Sequence, residues 1–126
     1  MKLRTYQTSD FDRIRQFFSE GKFGWEFPNP EDPRVVIKKC LLDSDGTVRM
    51  AAFGRLQANA YLLTDGTWKT PEERLEAIEI LEFAMIEEAR ILGLDQATAQ
   101  VDPRFGKRLE LFGWQKSIGE TWHKGF

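Results

Sequence analysis

Apolar positions recur along this chain with two periods, about two and about 3.6 residues, and the switches between them lay out its elements. Residues 3–6, with Thr5 and Tyr6, read as a first strand. Ser9 or Asp10 can cap a helix in which Phe11, Ile14, Phe17 and Phe18 recur at helical spacing, closed by Gly21 and Gly24. Residues 35–42 form an apolar run with little alternation, which predicts a strand covered on both faces. Asp43-Ser44-Asp45-Gly46 is a turn in which Gly46 can take positive φ, and residues 47–56 continue as the partner strand. A second turn at residues 57–59 leads to a third antiparallel strand over residues 60–64. A polar loop (65–69) precedes a long helical pattern from Pro71 to about Leu92, ended by Gly93. A short strand at 96–101, a short helix at 104–112 ended by Gly113, and a last strand over 114–126, kinked at Gly119, complete the order.

Two helices carry the most detail. In the long one, Leu75, Ile78, Leu81, Met85, Ala89 and Leu92 make one apolar stripe. Ile80, Ala84 and Ile91 make another on the far side, so the helix is expected to lie between layers. Glu82, at the edge of the first stripe, is either a solvated edge residue or a buried carboxylate. In the short helix, Phe105, Leu109 and Phe112 share one side and Arg104, Lys107 and Arg108 the other. That basic side is a solvated face or a phosphate contact.

Between residues 21 and 34 lie three prolines and three aromatics, Phe23, Trp25 and Phe27. Proline removes donors and fixes φ, which predicts an ordered loop. Its rings either fold back on the core or, with the tail residues Trp122 and Phe126, form an interaction surface.

Composition narrows the classes. A chain of 126 residues, 41% hydrophobic and 30% charged, fits one domain spanning residues 1–126 with a true core. A formal charge of −2 and scattered basic residues give no field for nucleic acid. One His and one Cys make a metal site unexpected. Cys40, alone in an apolar run, reads as a small buried hydrophobe. The first residues lack a signal-peptide core and no run is long enough for a membrane span. A soluble, cytoplasmic protein is expected.

The order strand–helix–loop–three strands–helix–strand–helix–strand resembles the acyl-CoA N-acyltransferase (GNAT) superfamily. The best local match is Asp102-Pro103-Arg104-Phe105-Gly106-Lys107-Arg108-Leu109-Glu110-Leu111-Phe112-Gly113-Trp114, where Glu110, Gly113 and Trp114 fit the family's helix–Gly–aromatic stretch. The resemblance implies an α/β (α+β) fold: a mixed, mostly antiparallel sheet of about six strands with helices on both faces. It also implies where acetyl-CoA would lie. Leu62, Leu63 and Thr64 would pair with the pantetheine arm. Lys69, Thr70 and Arg74 would meet the pyrophosphate at the start of the long helix, and Arg104, Lys107 and Arg108 the remaining phosphate.

The chain also departs from that family. The glycine-rich phosphate loop is replaced by Trp68-Lys69-Thr70-Pro71-Glu72-Glu73-Arg74, with no glycine between Gly66 and Gly93. Thr70 and Glu73 have the spacing of a capping box and Pro71 suits the first helical position. The amides that would hold a phosphate are therefore expected to be used by the chain itself. Where many members carry a proton-donating Tyr, the matching residue is Leu109, and the family's Asn matches Asp102. Asp65 is a weak candidate base and is first of all a turn residue; His123 reads as structural.

Two readings follow. One is a non-catalytic structural or interaction module, a pseudoenzyme that binds a protein partner or itself. Internal virion proteins of short-tailed phages are similar in carrying a Thr- and Trp-containing loop, which Leu63-Thr64-Asp65-Gly66-Thr67-Trp68-Lys69 resembles, so a virion location is the alternative to the cytoplasm. The other reading is an N-acetyltransferase acting on an amine of a small molecule or protein. In the first, side chains should fill the cleft, Trp68 foremost; in the second, a V-shaped cleft should stand open.

Overall fold

The structure, a computed structural model, describes residues 1–126. It is mixed α/β: β1 (Lys2–Thr5), α1 (Phe11–Gly21), β2 (Val35–Leu42), β3 (Val48–Arg55), β4 (Ala58–Ala60), α2 (Pro71–Ile91), β5 (Ala97–Ala99) and α3 (Pro103–Leu109). Short 3-10 turns precede α1 and follow α3. The chain divides into two compact units, Met1–Leu56 with Ser117–Phe126, and Gln57–Lys116. No helix is long and apolar enough to cross a membrane.

The first unit is built on an antiparallel sheet of order β1-β2-β3. The β2–β3 turn forms as its sequence demands. Gly46 takes φ +79°. Asp43 Oδ1 accepts from the Asp45 and Thr47 amides at 3.0 and 3.1 Å, and its Oδ2 accepts from Arg49 Nε at 2.7 Å. Register shifts at both ends of β2 bend the ladder. Ile14 of α1 packs with Cys40, Leu42 and Val48, and Tyr6, Phe17, Phe27 and Phe53 close around them. β2 is covered on one face, not two. Cys40 and Leu42, two residues apart, are buried together, and the register shift between Val35 and Ile37 breaks the alternation, so that Val35 is buried while Val36 and Ile37 are both exposed.

One polar group enters this core. Asp10, 7% exposed, accepts both Arg4 guanidinium nitrogens (2.8 and 2.9 Å) and the Gln7 amide (2.8 Å). The Arg4 bonds hold its carboxyl below the usual carboxylate range against the opposing effect of burial. The Cys40 thiol lies 3.9 Å from Asp10 Oδ2, and its pKa is pushed up first by burial and then by that negative charge. A raised thiol pKa means little thiolate, so Cys40 acts as core.

The Gly21–Arg34 loop is ordered by its rings. Phe11, Phe18 and Phe27 meet edge-on or tilted, with centroids 5.3 to 5.9 Å apart, and Phe23 stacks on Trp25 at 4.6 Å. Arg15 lies over Phe27, 4.8 Å from its centroid. α1 stops at Gly21, where any Cβ would come within 2.4 Å of the Phe23 ring, and the left-handed turn falls to Lys22 (φ 52°).

The second unit differs most from the sequence reading. The strand expected at 60–64 forms only over Ala58–Ala60. It pairs parallel with Ala97–Ala99, in register Ala58↔Ala97, Asn59↔Thr98, Ala60↔Ala99. Residues 114–126 form no strand, so five strands in two sheets stand where about six were expected. α2 is also not covered on two sides within its unit. Leu75, Ile78, Met85 and Ala89 are partly buried, whereas Ile80 (73%) and Ile91 (84%) are exposed.

The Asp10 cluster gives a testable consequence. Asp10→Ala removes the acceptor of the half-buried Arg4 guanidinium and of the Gln7 amide and is expected to destabilise the first unit by about 1–3 kcal/mol in chemical denaturation. The pKa of Asp10 is depressed, so its contribution is full at neutral pH and is lost as pH falls below about 4, through the depressed value. The stability difference between wild type and Asp10→Asn should therefore shrink toward acid. A difference independent of pH would remove the ion pair from the account.

Candidate functional site

The second unit holds a cleft of 680 Å³, and the end of the β4–β5 ladder makes it. Ala58 N donates to Gln96 O (3.0 Å) and Gln57 Nε2 to Thr98 Oγ1 (3.1 Å), which fixes the start of the pair. The pairing stops at Ala60 and Ala99. Beyond it the chains separate, and Tyr61, Leu62 and Thr64 line the cleft from one side and Gln100, Val101 and Asp102 from the other. Ile78, Met85 and Phe105 are among its apolar walls, with Leu109, Phe112 and Trp114. Such a volume and lining suit a ligand of drug-like size or a short stretch of chain.

Trp114 ties the wall together. Its Nε1 donates to Glu82 Oε1 at 2.6 Å, and its backbone N donates to Leu109 O at 3.2 Å. Glu82 is thus a partly buried acceptor at the cleft wall, between the two readings of that carboxylate.

The start of α2 is closed by the chain itself. Thr70 Oγ1 accepts from Glu73 N at 3.2 Å, and Glu73 Oε2 accepts from Thr70 N at 3.0 Å. Pro71 takes the first helical position, where a missing N–H costs nothing. Glu72 and Glu73 put two carboxylates in the first turn, the place where helix partial charge is positive.

The cations expected near a pyrophosphate are committed elsewhere. Arg74 Nη1 donates to the carbonyls of Trp68 and Lys69, each at 2.8 Å. Lys69 sits in the left-handed region (φ 53°) with Nζ 5.1 Å from the Trp68 ring centroid. Arg104 turns back on Asp102, 3.5 Å away, and Asp102 Oδ1 caps α3 through Arg104 N at 2.8 Å. Arg108 lines the cleft and has no such partner.

The expected acid–base groups are no better placed. Asp65 Oδ1 accepts from the Thr67 hydroxyl (2.6 Å) and Thr67 amide (2.9 Å), and these bonds hold its carboxyl below the usual range. A carboxylate so stabilised is a poorer proton acceptor. Leu109 lines the cleft but carries no proton to give. No group of His, Cys, Asp and Glu is arranged to hold a metal ion.

Of the coenzyme residues inferred from the sequence, the structure brings Leu62, Thr64, Arg74 and Arg108 to the cleft. Leu63 is 96% exposed, and Lys69, Thr70, Arg104 and Lys107 do not line it. Trp68 does not fill the cleft either: it lies outside the wall, half-exposed under Lys69. Wall residues such as Met85 and Phe112 were visible only as helical stripes, a signature that a packed core and a cleft wall share.

The first unit divides the aromatic set. Phe27 packs against the core, so it leaves the interaction surface. Phe23 and Trp25 stay about half-exposed, and Trp122 and Phe126 are almost fully exposed. The tail approaches this patch: a Cβ on Gly24 would lie 3.2 Å from Ile118, and one on Gly119 would lie 3.9 Å from Trp25.

Thr70→Ala removes one half of the capping box and is expected to cost about 1 kcal/mol of stability, with faster hydrogen exchange at the Glu73 amide. An unchanged exchange rate would show that the amide has no need of Thr70. Comparison with the models of known protein families, with curated proteins and with solved structures finds no match.

Proposed function

We propose that this chain is a GNAT-like module that has given up acyl transfer and serves as a non-catalytic structural or interaction part, with a protein partner or a second copy as its target. The observation that carries this reading is the start of α2. A diphosphate would need amides that Thr70 and Glu73 already hold, and it would meet Glu72 and Glu73. Arg74, the obvious counter-charge, is bound to two carbonyls. The residues present therefore do not fit a coenzyme A pyrophosphate at this place. Leu109 in the slot of a proton donor, and the depressed Asp65, support the same conclusion.

On this reading the parallel β4–β5 pair and the cleft beyond it are the remnant of the family's coenzyme half. The stacked, half-exposed Phe23 and Trp25, and the exposed Trp122 and Phe126 of the tail, are the kind of aromatic residues that partner surfaces use. A place inside a phage particle, or in the cytoplasm as part of a complex, suits such a module.

One observation favours the other reading. The cleft is open, as an N-acetyltransferase acting on an amine would need, and Leu62, Thr64 and Arg108 line it. Acetyl transfer to an amine can run largely on proximity.

Titration calorimetry with acetyl-CoA separates the two. No heat of binding at millimolar ligand, and no acetylation of amine acceptors, are expected. Micromolar binding that Arg74→Glu weakens would overturn the proposal and restore the enzyme.

A further inference from the structure

The open cleft poses a question of hydrogen bonds as well as of shape. Past Ala60 and Ala99 the ladder has no continuation, yet both chains run on. Ala58 N points across the pair to Gln96 O, and the two-residue alternation of an extended backbone puts the Leu62 amide on that same edge, where it donates to no group among the described residues. Tyr61, Leu62 and Val101 line the cleft, whose other walls are largely apolar side chains of α2 and α3. A hydrocarbon ligand placed there would take water away from this backbone edge and give nothing back. An occupant with its own regularly spaced N–H and C=O groups would satisfy it while its side chains enter the apolar wall.

Charge selects further. Thr70, Glu73 and Arg74 satisfy one another or the loop carbonyls. Glu82 is held by Trp114, and Asp102 by the start of α3. Arg108 is then the charged group of the wall left for an incoming ligand. It favours a carboxylate.

We propose that the cleft is a receptor for an extended polypeptide strand that inserts where β4 and β5 separate, with alternating apolar side chains against α2 and α3 and an acidic residue on Arg108. This rests on the reading that the coenzyme seat is lost, and it names the class of partner that takes its place. The inserted strand continues the ladder that Ala60 and Ala99 leave off.

The test uses the full chain and a displayed library of short linear peptides. Sequences with apolar residues at alternate positions and one Asp or Glu are expected to be enriched. The best synthetic peptide should lose about tenfold or more in affinity against Arg108→Glu, and a Lys in place of its acidic residue should restore part of that loss. Peptide should also slow hydrogen exchange at the Leu62 amide of the wild-type chain, a readout that needs no variant to fold. No enrichment over a scrambled library, affinity indifferent to Arg108→Glu, or unchanged exchange at that amide would each overturn the proposal. Acetyl-CoA titrated alongside keeps the two claims apart. Micromolar coenzyme binding sinks the reading beneath the proposal, whereas failure of both ligands sinks the strand receptor alone.

Discussion

A helix begins with backbone amides that no earlier turn can pair, and what pairs them decides what the helix start can hold. In α2 that role falls to Thr70 and Glu73, and the loop before it is arranged to suit. Asp65 turns the chain by accepting Thr67 and Trp68, Lys69 takes a left-handed conformation, and Arg74 reaches back to the carbonyls of Trp68 and Lys69. Each bond uses a group that a phosphate would otherwise want. A glycine-rich loop would leave those amides open; this one closes them.

The cleft follows from a different constraint. Parallel strands pair only while both backbones stay about 4.8 Å apart. The β4–β5 pair is only three residues long on each side, and Tyr61, Leu62 and Val101 follow it without a partner strand. With the ladder ended, the stripe of Leu75, Ile78 and Met85 faces open space. Apolar surface left in water costs roughly 25 cal/mol per Å². An open apolar wall beside unpaired backbone is therefore a surface that gains by being covered, whichever ligand covers it.

How much of this was legible in the sequence varied with the range of the interaction. Local chemistry read well: Gly46 in its turn, Pro71 and the Thr70–Glu73 box, and the helix of Phe11, Ile14 and Phe17 depend on neighbours a few residues away. Pairing partners did not. Residues 60–64 have strand composition, but the strand is set by Ala97–Ala99, far along the chain, and by a parallel register that no local pattern encodes. The same holds for β2, where an unbroken apolar run hid a one-sided strand, and for 114–126, where the expected last strand finds no ladder. At the site, Arg74 and Arg108 look alike as sequence. Only the structure shows one holding carbonyls and the other left for a ligand.

Magnitudes bear on whether the start of α2 can hold an anion. Opening the capping box costs about 1 kcal/mol or somewhat more. Charge at a helix start returns typically 0.3–1 kcal/mol at an exposed site, about 2 at best. The gain and the cost therefore nearly cancel before Glu72 and Glu73 add their repulsion, and before Arg74 surrenders two hydrogen bonds. The cleft itself keeps its apolar wall and its free backbone, because neither depends on the helix start. With its helix start occupied and its groove open, the second unit offers an incoming ligand apolar contact and backbone pairing in place of an anion site.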